Sequence, residues 1–131
     1  MIIAAIGIGL IVTINVSKFY GLLYLGLSTA GSLAIISSFC TKCPCKDTNC
    51  GHVLPGLLTK ILPDRTPEKY TISELGLVIT AFISILAFPQ YFLWPDKPAF
   101  IIFWMLIILG LIDIRLFVCR ACDNKNCPAK I

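Results

Sequence analysis

The sequence predicts an all-α integral membrane protein: four transmembrane helices arranged as two repeated helical hairpins, each followed by a Cys-rich cytoplasmic metal-binding segment. Three observations predict it. Four long apolar stretches carry almost no charge. A helix, turn, helix and cysteine motif occurs twice. The basic residues crowd onto the side where both cysteine motifs emerge.

Composition sets the class. The chain has 131 residues, one domain's worth, and 57% of them are hydrophobic. Only 14% are charged, against about 25% in ordinary globular chains. Mean hydropathy is +0.88. A soluble chain of this length has no interior large enough for that apolar fraction, whereas a bilayer offers one.

The first helix is expected over about 2–16, because Ile2 to Val16 holds no charge. It lacks the basic leading segment and the small-residue cleavage site of a signal peptide, so it reads as a retained helix. The second helix is expected over about 21–39. One helix from Ile2 to Phe39 would be about 57 Å long, far thicker than a hydrocarbon core of about 30 Å. Asn15, Ser17 and Lys18, followed by Phe19, Tyr20 and Gly21, therefore read as a tight turn.

The third helix is expected over about 72–88. Thr71-Ile72-Ser73-Glu74 is a capping-box pattern just ahead of its apolar run. Pro89, Pro95 and Pro98 then bracket Gln90 to Trp94, and Asp96 and Lys97 follow. Proline ends helices but suits a first helical turn, so the fourth helix is expected over about 98–118. Phe19, Tyr20, Tyr91 and Trp94 sit where an aromatic belt would lie.

The repeat orders the chain. After the second helix come Cys40, Cys43, Cys45, Asp47, Asn49 and Cys50. After the fourth come Cys119, Cys122, Asp123, Asn126 and Cys127. Both motifs open with C-x-x-C and then give an Asp, an Asn and a further Cys, as a duplicated unit would. The chain divides into a first hairpin with its motif (1–52), a connecting segment (53–71) and a second hairpin with its motif (72–131). In the connection, Leu54, Leu57, Leu58 and Ile61 share one helical face, which predicts a short amphipathic interfacial segment. Pro63 to Lys69 follows as a polar loop.

Two-helix units preserve direction, so both motifs leave on one side. That side receives nine basic residues and the other only Lys18 and Lys97. By the positive-inside rule the motifs and both termini are cytoplasmic, in the cell membrane. The cytoplasm is reducing, which disfavours structural disulfides.

All seven cysteines and the single histidine fall within Cys40 to His52 and Cys119 to Cys127. Cys40, Cys43, Cys119 and Cys122 have the spacing of a tetrahedral four-thiolate site. Cys45, Cys50, His52 and Cys127 would supply a second set. Eight ligands in two sets of four is what two structural zinc ions need, and zinc is the first expectation. An iron–sulfur cluster ranks next: C-x-x-C suits it, and Cys43-Pro44 and Cys127-Pro128 fit, but the C-x2-C-x2-C-x3-C run is missing. The bland reading of cysteine as a small buried hydrophobe conflicts with their setting among Lys, Asp, Asn and Pro.

Ser28 to Ala34 is a small-residue stretch that lets another helix approach closely, and packing within the chain is the expectation. Asp113 and Arg115 are the only charges well inside a span. Arg115 reaches the interface by snorkelling.

Three function classes follow. The first is a small metal-binding accessory subunit of a larger membrane complex, its cysteine cluster clamping the hairpins and docking a partner. The second is an iron–sulfur electron-transfer or redox-sensing subunit. The third is a thiol-disulfide oxidoreductase or metal carrier. In architecture alone the chain resembles four-helix thiol oxidoreductases that reduce quinones, but those work toward the oxidising side. No Ser–His–Asp set and no phosphate-binding Gly loop is present, so catalysis is not the leading expectation. Expected partners are other membrane subunits and anionic lipid head groups. Nucleic acid is not expected, because no aromatics interleave with the basic residues.

Overall fold

The computed structural model describes residues 1–42, 59, 62 and 70–120, and these are helical, with no strand among them. In chain order they form α1 (Ile2–Val16), α2 (Lys18–Ile35), a π turn (Ile36–Cys40), α3 (Ile72–Ala87), a short α4 (Gln90–Leu93), α5 (Lys97–Asp113) and a second π turn (Ile114–Val118). Three helical stretches are long and apolar enough to cross a membrane: Lys18–Cys40, Ile72–Leu93 and Lys97–Phe117. The fourth, α1, is equally apolar but has 15 residues, about 22 Å of helix.

The break between α1 and α2 is a single residue rather than the broader turn expected. Ser17 is extended (φ −162°, ψ 136°). Its N–H donates to the Thr13 carbonyl at 3.0 Å, and its carbonyl accepts from Gly21 N at 3.1 Å. Its hydroxyl accepts from Phe19 N at 3.3 Å, which caps α2. Phe19 and Tyr20 are thus already helical.

The capping box at α3 forms as the sequence predicts. Thr71 Oγ1 accepts from Glu74 N at 3.3 Å, and Glu74 Oε2 accepts from Thr71 N at 3.0 Å. Pro89 does not end the order. Its φ of −73° suits a helix start, so Gln90–Leu93 adds a helical turn where a loop was expected. Asp96 caps α5 by accepting from Ala99 N at 3.2 Å.

Close approaches at glycines set the packing. Gly9 of α1 lies under the Tyr24 ring of α2, and Gly21 lies against Ile14, so these two helices run antiparallel. Gly31 of α2 meets Ile85 and Ala81 of α3. The small-residue stretch of α2 therefore packs within the chain. Gly110 of α5 meets Ile2 of α1. Small residues let backbones approach where helices gain little from hiding apolar surface. Neighbouring helices are thus α3, α2, α1 and α5, in that order, while α3 and α5 share no comparable face.

Ala5, Leu93, Phe103 and Ile107 form the buried core. Most other large apolar side chains point outward, among them Leu22, Ile79, Ile101 and Phe117. Thr13, fully buried, is satisfied by its own helix through the Gly9 carbonyl at 2.9 Å. At the α1–α2 turn, Tyr20, Phe92, Tyr91 and Phe88 pack ring on ring. Beside them Lys97 Nζ sits 4.1 Å over the Trp94 ring. Trp104 Nε1 donates to Gln90 Oε1 at 3.1 Å, which ties α5 to α4.

Candidate metal centre

The two cysteine motifs begin at the same end of the bundle. The end of α2 reaches Lys42, beside Glu74 at the start of α3. The end of α5 lies beside Ile2 at the start of α1. Ile36, Asp113 and Ile114 share one cavity there.

Each motif leaves through a π turn. After α2, the Thr41 N–H reaches back five residues to the Ile36 carbonyl at 3.2 Å; after α5, the Cys119 N–H reaches Ile114 at 2.8 Å. The strands of sequence differ (Ile36–Cys40 and Ile114–Val118), yet the backbone solution is the same. Such closures are a common way for a helix to end.

The first motif is held firmly at its start. Lys42 Nζ donates to Glu74 Oε2 at 2.8 Å and lies 2.8 Å from Oε1. Phe39 stacks on Tyr70 with centroids 4.5 Å apart and planes 20° apart. Thr41, buried, donates its hydroxyl to the Ser37 carbonyl at 2.6 Å. Phe39 to Lys42 is therefore pinned to the foot of α3, and the chain leaves from a fixed point toward Cys43. Glu74 serves twice, closing the α3 cap and pairing with Lys42. Sequence reasoning credited Glu74 only with the cap and Lys42 only with the charge bias. No local pattern links two residues 32 positions apart.

Of the eight predicted ligands, Cys40 and Cys119 lie among the described residues, and both are half-buried. Cys43, Cys45, Cys50, His52, Cys122 and Cys127 lie outside them, as does the interfacial segment 53–63 apart from Thr59 and Leu62. Among the described residues no group of three or more His, Cys, Asp or Glu side chains is gathered as a metal would need.

No family model, curated protein or solved structure matches this chain.

Thiolates suit zinc and iron–sulfur clusters and suit magnesium or calcium poorly. A thiol at the close of each of two parallel helices, with a second three residues on, is a pairing that a four-thiolate site can use. Asp113 stands six residues and Arg115 four residues before Cys119, and both are exposed. Two apart on the helix, they do not face each other.

Proposed function

We propose that this chain is a small integral membrane subunit of a larger complex. Its four helices cross the membrane as two repeated hairpins, and its Cys-rich cytoplasmic cluster binds metal, clamps the hairpins together and docks a partner. One observation carries the reading: of the two residues that open the C-x-x-C motifs, Cys40 closes one π turn and Cys119 directly follows the other, at one end of the bundle. Outward faces of leucine, isoleucine and phenylalanine support the membrane placement. At 15 residues, α1 is short for a core of about 30 Å and relies on local thinning, snorkelling of flanking residues or its partner helices.

A metal has work to do here. Insertion removes apolar side chains from water, but it does not fix one hairpin against the other, since lipid is as apolar as leucine. A shared site of Cys40, Cys43, Cys119 and Cys122 would, with Cys45, Cys50, His52 and Cys127 as a second set. Structural zinc contributes roughly 10 kcal/mol or more of apparent binding free energy at neutral pH. Zinc is the metal proposed, ahead of an iron–sulfur cluster. Other membrane subunits and anionic head groups are the proposed partners.

The test is metal and acid-labile sulfide analysis, with a visible spectrum, on anaerobically purified protein. About two zinc ions per chain and no sulfide are expected if eight ligands split into two four-ligand sites. Iron with matching sulfide makes the chain an electron-transfer or redox-sensing subunit instead. Replacing Cys119 and Cys122 together with Ser should lower both metal content and thermal stability; if both stay unchanged, the clamp is refuted.

A further inference from the structure

The bundle is tied at one end and open at the other. Beside the α1–α2 turn, the Trp104–Gln90 hydrogen bond holds α5 to α4. Toward the cysteine-bearing end α3 and α5 share no comparable face, and a cleft of about 430 Å³ opens between them. Leu86 and Ile107, against and within the buried core, close its deep end. Ile6, Ile36 and Leu111 are among its sides. Asp113, the last residue of α5, stands at its mouth.

Two properties define what fits. The walls are apolar except for Ser32 and Asp113, so bare walls lose dispersion contacts and water finds few polar partners inside. Among the described residues Asp113 is the only charged side chain on those walls, and its carboxylate has neither a hydrogen bond nor an ion pair. Arg115 and Arg120 follow it in the chain but do not line the cleft. Met1 does line it, and its amino group makes no ion pair with Asp113.

These properties exclude simpler occupants. A purely apolar chain covers the walls and leaves the carboxylate unpaired. A hydrated metal ion pairs with the carboxylate and leaves the walls bare. A cation carried on an apolar body satisfies both, and the volume lies in the range of pockets for such molecules, about 300–1,000 Å³.

We propose that the cleft between α3 and α5 binds a lipophilic monovalent cation, an amine or onium ion, with its apolar body against Leu86 and Ile107 and its charge at Asp113. The site uses a face of the bundle that the cysteine segments do not supply, and it requires neither the metal nor a partner subunit.

The test is equilibrium dialysis of tetraphenylphosphonium against the full chain in dodecylmaltoside micelles, with empty micelles as the baseline. Tetraphenylborate, nearly the same shape with the opposite charge, is the second probe. Phosphonium uptake should saturate above the baseline. Asp113→Asn should weaken it about fivefold, the upper end for an exposed ion pair, and should not weaken borate uptake. Ser32→Phe fills the cleft from α2 and should abolish phosphonium binding; Leu111→Trp fills it from α5 and serves should Ser32→Phe fail to fold by circular dichroism. Uptake no greater than that of empty micelles overturns the site. Unchanged affinity in Asp113→Asn overturns the role of the carboxylate. Full binding in a folded, filled variant puts the ion elsewhere and overturns the cleft. Saturable binding of borate in preference to phosphonium means that the Met1 amine sets the charge of the cleft, and overturns the choice of a cation.

Discussion

Substituting Gly21 and Gly26 of α2 with alanine separates close packing from helix propensity. In a helix interior, Gly→Ala gains about 1 kcal/mol from propensity at either position. The surroundings differ. A Cβ on Gly26 meets nothing within 4 Å, whereas one on Gly21 collides with Ile14 Cγ1 and lies 3.0 Å from Ile14 Cα. The second atom is backbone, so no rotamer change relieves it. With Ser17 the only residue between the helices, α1 and α2 have little slack to part. Overpacking of this kind costs about 1–3 kcal/mol. Gly26→Ala should therefore stabilise, and Gly21→Ala should be neutral to destabilising. The pair should differ by about 1–3 kcal/mol, the size of the overpacking term. Reversible unfolding in mixed dodecylmaltoside and dodecyl sulfate micelles, followed by far-UV circular dichroism, measures both. If Gly21→Ala stabilises as much as Gly26→Ala, the close approach of α1 and α2 at this point is wrong.

Three more outcomes are expected. The Tyr24 hydroxyl is fully buried and finds no hydrogen-bond partner among the described residues. Tyr24→Phe should thus stabilise by about 1 kcal/mol in the same titration, and a loss of stability would reveal a partner. Gln90→Leu removes the acceptor of the Trp104 indole at 3.1 Å; it should cost about 1 kcal/mol and shift that indole N–H in a nitrogen–proton correlation spectrum. Lys42→Met leaves Glu74 without its 2.8 Å partner, so amide exchange at Phe39 to Thr41 and at the α3 cap should quicken. Unchanged exchange there would mean that the ion pair does not hold the first motif.

Much of the helical frame was legible because it is written in local chemistry. The charge-free run before Asn15, the Thr71–Glu74 cap and Pro98 in the first turn of α5 each act within a few residues. Where the sequence misled, the deciding interaction was remote or subtle. Phe19 and Tyr20 look like turn residues at an interface, yet one extended serine suffices to reverse the chain. Pro89 looks like a stop, yet its fixed φ also starts a turn. The π turns carry no residue signature, since they differ from α only in which carbonyl each N–H finds. The helix order follows from which glycines meet a neighbour. Gly9, Gly21, Gly31 and Gly110 do, while Gly7, Gly26 and Gly76 face open space, and composition alone does not tell these sets apart. Of the proposed metal site, the sequence supplies all eight candidate ligands, and the fold supplies the common end at which both motifs begin.

The π turns also set a direction. Each spends one residue more than the α turn it replaces. A helix advances about 100° per residue, so that extra residue swings everything beyond it by about the same angle. Because α2 and α5 run the same way, both swings have the same sense. Removing one residue from each turn would leave the bundle upstream untouched and rotate both chain exits by more than a quarter of a circle. The heading of each cysteine segment is thus set by one residue, and changing it in the first would also displace the buried Ser38 and Thr41 and the Lys42–Glu74 pair.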